Sequence, residues 1–220
     1  MIRIPDDLHD RYAAWRWEKA YEWVDGRPTF RLTDISGEVR YLKVHPVGAG
    51  LPDEATRLRW AARWVRVPQL IEYGSDGFRD WLMTAQLSGV DATRHPWRQS
   101  DPARLAAAVG RGLRAFHDAI PVDECPFWFP GADAVPGADL VVCHGDYCLP
   151  NVFLENGEAT GYLDLGDVAV ADRWLDLAIG LRSLDYNLGP GYEDEFMAGY
   201  GRKLDDDKRA AWLARYDASR

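Results

Sequence analysis

Apolar positions recur at helical spacing in two long stretches of this chain. Over 102–119, Leu105, Ala108, Val109, Leu113 and Phe116 share one face, and Asp101 just before Pro102 is a good N-cap. His117, in the last turn, reads as a packed or helix-end histidine. Over 53–65, Ala55, Leu58, Ala61, Ala62 and Val65 share one side, with Asp53 and Glu54 in the first turn where acids favour the helix dipole. Further helices are expected over Arg173–Leu184, from Glu193 onward, and over Asp207–Tyr216. Alternating strands are expected at Thr29–Leu32 and Val39–Val44, and further strands at Val67–Gly74 and Trp81–Leu87. A short buried strand follows at Leu140–Cys143. Val152–Leu154 and Thr160–Leu163 form a hairpin around the turn Glu155-Asn156-Gly157-Glu158. Residues 9–24 are rich in aromatics and read as a packing segment that becomes a strand near Tyr21–Val24.

With 220 residues and 47% hydrophobic content, the chain can bury a substantial core as one domain or two lobes. No apolar run is long enough to cross a bilayer, and Met1–Leu8 lacks the apolar centre of a signal peptide. Cys125, Cys143 and Cys148 show neither a paired framework nor metal spacing, which suits a reducing cytoplasm. A net charge of −9 disfavours nucleic acid as a partner and favours cationic small molecules.

The chemistry concentrates in 141–178. A polar loop, His144-Gly145-Asp146, follows the strand; Asn151 lies five residues beyond Asp146, and Asp164 ends the hairpin. Asp146 can accept the proton of an attacking hydroxyl. Asn151 and Asp164 offer hard oxygens to magnesium.

This set resembles the catalytic half of the protein-kinase-like fold, most closely the aminoglycoside 3′-phosphotransferases. The matching stretches are HGDYCLPN (His144–Asn151), GYLDLG (Gly161–Gly166) and ADRWLDLA (Ala171–Ala178). The resemblance implies a two-lobed α+β fold. Residues 1–87 would form a nucleotide-binding lobe of antiparallel sheet with one helix, and 88–220 a mainly helical lobe for catalysis and acceptor binding. It also implies that ATP or GTP is the donor and Mg2+ the cofactor. By resemblance, Lys43 pairs with Glu54 and meets the nucleotide phosphates; from the residues alone, a solvated strand lysine and a helix-capping acid fit equally well. The turn at Gly26, with Thr29 after it, would cover the phosphates, although Pro28 contributes no N–H there. Backbone groups of a hinge at Thr84–Leu87, with Ala85 and Leu87 as the contacts, would bind the purine. Asp176 would hold the backbone of the catalytic loop, and Arg182, Asp185 and Asp217 would line the acceptor pocket.

Three departures from the family stand out. The segment Ile120–Asp139 is several tens of residues shorter than its counterpart, which removes an acidic substrate loop and leaves Phe127, Trp128 and Phe129, with Asp133 and Asp139 as the nearest acids. Those rings either stack on a less cationic acceptor or seal the core. Asp167 stands where the family often has arginine, and so cannot supply the same positive field. Of the family's terminal acid pair only Asp217 remains, with Arg220 adding opposing charge.

The leading expectation is therefore a phosphotransferase acting on a hydroxyl of a small-molecule antibiotic, aminoglycoside-like or else of nucleoside or peptide type, for resistance or self-protection. The competing readings are a non-catalytic nucleotide-binding pseudokinase and a metallohydrolase built on His144, Asp146 and Asp164. The first has no use for a base at Asp146, and the second needs more histidine ligands than the region offers.

Overall fold

The computed structural model describes residues 4–22, 24–132, 135 and 137–219; Asp133 and Arg220 lie outside them. These residues form two compact units, one from 1–62 and 68–87 and the other from 63–67 and 88–220.

The first unit is a five-stranded antiparallel sheet in the order β1-β2-β3-β5-β4. Its strands are β1 (Arg16–Tyr21), β2 (Thr29–Thr33), β3 (Val39–Pro46), β4 (Leu70–Ser75) and β5 (Arg79–Ala85), with helices α1 (Asp6–Arg11) and α2 (Leu51–Ala61). Leu32, Leu42, Val44 and Met83 make a fully buried core with Leu8 of α1. Leu51 and Ala55 of α2 pack against Leu82. Glu72 fastens α1 to the sheet, accepting from Arg11, Tyr12 and the indole N–H of Trp81.

Two expectations change here. The strand expected near Tyr21–Val24 takes in Trp23, which lies outside the described residues, and the described strand runs over Arg16–Tyr21. It is an edge strand and mostly exposed, so no burial alternation marks it. The helix expected over 53–65 ends at Ala61, and Ala62 is exposed. The residues after it join the second unit, where the Arg66 carbonyl accepts the Tyr162 N–H at 3.1 Å.

The second unit is mainly helical. Its helices are α3 (Trp97–Ser100), α4 (Pro102–Ala119), α5 (Trp174–Leu188), α6 (Glu193–Tyr200) and α7 (Asp206–Ala218). Asp101 caps α4 by accepting the Arg104 N–H at 3.1 Å. Two small sheets complete the unit: β6 (Val90–Asp91), β8 (Val152–Glu155) and β9 (Glu158–Tyr162) in the order β6-β8-β9, and β7 (Leu140–Cys143) paired antiparallel with β10 (Ala169–Asp172). The β8–β9 turn consists of Asn156 and Gly157, both at positive φ (55° and 81°), as an Asn-Gly hairpin turn requires. The segment around Trp128 lies parallel to β10, with Phe129 donating to the Val170 carbonyl and Val170 to that of Phe127. Phe129 meets the ring of Trp212, whereas Trp128 is half exposed, so the aromatic cluster seals the unit only in part. Among the described residues, no helix is long and apolar enough to cross a membrane.

Candidate active site

The loop between β7 and β8 is shaped by its backbone before any side chain acts. Gly145 sits at φ +83°, and a Cβ there would fall 2.2 Å from the Asp167 carbonyl oxygen, so only glycine fits between the two chain segments. Asp176, wholly buried on α5, accepts the N–H groups of His144 through Oδ2 (2.6 Å) and of Gly145 through Oδ1 (2.8 Å). Behind it runs a buried chain of hydrogen bonds. Arg173 donates to Tyr200 Oη (2.7 Å), Tyr200 is 2.8 Å from His117 Nδ1, and His117 Nε2 is 3.0 Å from Asp176 Oδ2. Burial pushes the Tyr200 phenol up to about 12, so it stays protonated and able to donate to the ring. His117 thus packs as expected, and Asp176 holds the loop as the resemblance implied.

His144 is occupied at both nitrogens. Nδ1 accepts the Asp146 N–H (3.3 Å) and Nε2 donates to the Leu163 carbonyl (2.9 Å). A metallohydrolase reading needs that ring as a ligand, and its hydrogen bonds use it instead.

Asp146 then presents a half-buried carboxylate that three side chains orient. Tyr216 Oη donates to Oδ1 at 2.9 Å, the Cys148 thiol to Oδ1 at 3.3 Å, and the Asn151 amide to Oδ2 at 3.2 Å. Burial, reinforced by the Asp146 charge, raises the Cys148 thiol well above the usual range, so this cysteine is a donor and not a thiolate nucleophile. Asn151 also donates to the Asp146 carbonyl (3.0 Å), and the preceding turn is anchored by the Leu149 N–H on Ser183 Oγ (2.9 Å). The Leu163 N–H reaches the Asn151 carbonyl at 2.8 Å, which ties the end of the hairpin to the loop. The next residue, Asp164, adopts a left-handed conformation (φ 60°, ψ 61°), uncommon for a residue with a Cβ and a frequent mark of functional sites.

The donor set for a cation here is hard oxygen. Asn151 commits its amide nitrogen to Asp146, so the oxygen is its remaining ligand atom, and Asp164 adds a carboxylate. Two such groups suit magnesium, which takes one or two protein oxygens besides phosphates and water. The group His117, Cys143 and Asp176 does not suit a metal. Asp176 already receives two backbone N–H groups, and burial raises the Cys143 thiol well above its usual value.

In the first unit, Lys43 Nζ of β3 meets Glu54 Oε1 of α2 at 2.7 Å, and Glu54 is buried. Thr29 stands opposite Lys43 in the β2–β3 register. Gly26, in the preceding turn at φ +78°, donates its N–H to Glu22 (3.2 Å). Ala85 closes β5 with its N–H on the Gln69 carbonyl (2.9 Å), and Leu87 is buried at the end of the unit.

The three residues expected at the acceptor are drawn together by α7. Arg182 pairs with Asp217 at 2.7 Å and stacks over the Tyr216 ring at 4.9 Å, while Asp185 pairs with Arg209. Asp185 and Arg182 lie inside α5, which continues to Leu188. Sequence reasoning missed Tyr216, Cys148 and Ser183 as partners of the loop, because none lies in a motif that fixes its role.

A central sheet lysine held by a helix acid and, in a helical unit, an aspartate loop clamped from behind define a kinase-like small-molecule phosphotransferase. Residues 128–213, which include Asp146, Asn151 and Asp164, match the model of the phosphotransferase enzyme family. The solved structure of an aminoglycoside 3′-phosphotransferase of type VIII superposes with a TM-score of 0.82 at 28% identity, covering 96% of this chain and 97% of that one. An aminoglycoside phosphotransferase from Streptomyces rimosus, solved in complex with ADP and streptomycin, superposes with a TM-score of 0.74 at 25% identity, covering 96% and 94%. The streptomycin 3″-kinase of Streptomyces griseus is 30% identical across 74% of this chain and 75% of its own length. The chain belongs to the aminoglycoside phosphotransferase family, and it is an O-phosphotransferase. That last alignment needs 213 positions to take in 74% of a 220-residue chain, so the relative carries segments that this chain lacks.

Proposed function

We propose that this enzyme moves the γ-phosphoryl group of ATP or GTP to a hydroxyl of a small-molecule antibiotic, with aminoglycosides the leading acceptors and resistance or self-protection the result. The observation that carries the reading is the Asp146 carboxylate, oriented by three donors on a loop that Asp176 pins from behind. Asp146 takes the proton of the acceptor hydroxyl as its oxygen bonds to the γ-phosphorus. The bond to the β–γ bridging oxygen breaks, and a nucleoside diphosphate leaves. Lys43, held by Glu54, neutralises phosphate charge. Asn151 and Asp164 would hold magnesium, which supplies positive charge to the phosphates when bound. Gly26 and Thr29 are proposed along the nucleotide phosphates, and Ala85 and Leu87 beside the base. The donor resides in the cytoplasm, and neither nucleic acid nor membrane is needed as a partner. The Streptomyces rimosus neighbour with ADP and streptomycin supports the donor class and the acceptor class.

A specific observation favours a second acceptor class. Asp185 and Asp217, the acids proposed at the acceptor, are already paired with Arg209 and Arg182, and the chain is shorter than its relative across the alignment. Each lost carboxylate–ammonium contact at a partly exposed site is worth ~0.2–1 kcal/mol. Several together weaken a polyamine acceptor by roughly ten- to a hundredfold. A nucleoside or peptide antibiotic, less cationic, loses less. The test is a panel of aminoglycosides, nucleosides and peptides incubated with ATP or GTP and magnesium, read by a mass gain of one phosphoryl group. A gain on any of them supports phosphotransfer, and the compound that gains it identifies the class. No gain on any compound, with nucleotide still bound, would favour the pseudokinase.

A further inference from the structure

The contact between Tyr216 and Asp146 spans 70 residues of sequence, and orienting the carboxylate does not account for which of its positions the phenol takes. It is built with care. Tyr216 is buried near the end of α7, beneath the Arg182 guanidinium. The helix is fixed to α5 by two ion pairs, Arg182 with Asp217 and Asp185 with Arg209, and to the segment beside β10 by Trp212, buried against Phe129. The outcome is a phenolic O–H placed 2.9 Å from Asp146 Oδ1.

That geometry is what an acceptor hydroxyl needs. A base must lie about 2.6–3.2 Å from the oxygen whose proton it takes. Oδ1 already receives the Cys148 thiol on one side, and a carboxylate oxygen offers about two lone-pair positions, so the phenol fills the other. An incoming hydroxyl, or a water molecule, reaches Oδ1 only by displacing it. On the reading of Asp146 as the base, on which this step rests, we infer that Tyr216 occupies the acceptor-hydroxyl position of the free enzyme. There it keeps water off Oδ1 until an acceptor displaces it.

Tyr216 is thus a specificity residue, because it makes Oδ1 available only to a compound able to displace the phenol. The α7 contacts suit that role. Arg182, Asp217 and Asp185 are each more than a third exposed, and ion pairs of that kind are weak enough to rearrange when a ligand enters. The wasteful reaction being held back balances as follows. Water gives a proton to Asp146 while its oxygen bonds to the γ-phosphorus. The bond to the β–γ bridging oxygen breaks, and nucleoside diphosphate and inorganic phosphate leave.

The test measures hydrolysis of ATP and of GTP, with magnesium and no antibiotic, in wild type, Tyr216→Phe, Tyr216→Ala, Asp146→Asn and the Asp146→Asn/Tyr216→Ala double variant. Each protein is first shown to melt cooperatively. Tyr216→Ala is expected to raise acceptor-free hydrolysis about tenfold, equivalent to about 1.4 kcal/mol. Tyr216→Phe keeps the ring and removes the hydroxyl, and is expected to raise it less. The double variant is expected to lose the increase, which places the gain at Asp146. A merely structural tyrosine gives no gain in rate when removed. Folded Tyr216 variants that hydrolyse no faster than wild type overturn the inference and leave the role of Asp146 standing. An increase that survives in the double variant overturns both.

Discussion

Oδ1 of Asp176 accepts the backbone N–H of Gly145 at 2.8 Å, so an acid buried on α5 decides where the loop that carries Asp146 begins. Its other oxygen holds the neighbouring N–H of His144 and faces His117. The loop that carries Asp146 therefore rests on a buried acid that belongs to another element.

Replacing that acid by its amide, Asp176→Asn, keeps the volume and turns one acceptor into a donor that faces donors. An unsatisfied buried donor costs about 1–3 kcal/mol, so the unfolding free energy from a urea titration is expected to fall by that order, with a lower midpoint. At temperatures where the variant stays folded, kcat is expected to drop more than the nucleotide KM rises. Wild-type stability with wild-type kcat would show that the clamp does not shape the loop.

The lysine pair makes a separable prediction, because its effect belongs to the nucleotide. Lys43→Ala is expected to raise the nucleotide KM at least about tenfold, the size of losing one charge-assisted hydrogen bond of ~1.5–3 kcal/mol. Glu54→Gln is expected to act in the same direction but less, since it frees the ammonium without removing it. The acceptor KM is expected to hold. Steady-state kinetics with each substrate varied in turn distinguishes this from a solvated lysine, whose loss would change neither constant.

Asp164→Ala removes the charged oxygen proposed for the metal. Activity against magnesium concentration is expected to shift its midpoint upward about tenfold or more, with kcat reduced at saturating metal. An unchanged midpoint would leave Asp164 as a residue of the turn alone.

Gly110 on α4 tests the packing independently of the chemistry. A Cβ there would lie 2.1 Å from the Phe196 carbonyl oxygen of α6, a backbone atom that cannot swing aside. Gly110→Ala is expected to destabilise the protein by about 1–3 kcal/mol, as overpacking does, while the folded fraction keeps its KM values. A thermal melt equal to wild type would contradict the close helix crossing.

What could be read in advance was local. Asp101 before Pro102 marks a helix start, Asn156-Gly157 dictates a hairpin, and the spacing of Asp146, Asn151 and Asp164 survives because one loop and one hairpin carry all three. Edges and long-range pairs were not legible. β1 is exposed along most of its length and shows no alternation, while β10 is four buried residues with no exposed face to set a period. The ion pairs of Asp185 and Asp217 and the phenol on Asp146 join residues 24–70 apart in sequence, and no local pattern encodes such a partner. Those unseen pairings bear most on the proposed acceptor class, because they pair the acids proposed to meet a polyamine.

The central claim is that Asp146 takes the acceptor proton, and one comparison addresses it directly. Asp146→Asn and wild type are assayed with the acceptor found in the panel, following phosphorylated product and nucleoside diphosphate together, with nucleotide binding measured on the same samples. The expected result is equal formation of both products by wild type, and a rate roughly a hundred- to ten-thousandfold lower in the variant at near-normal nucleotide affinity. A folded variant that phosphorylates the acceptor at close to the wild-type rate would contradict the account.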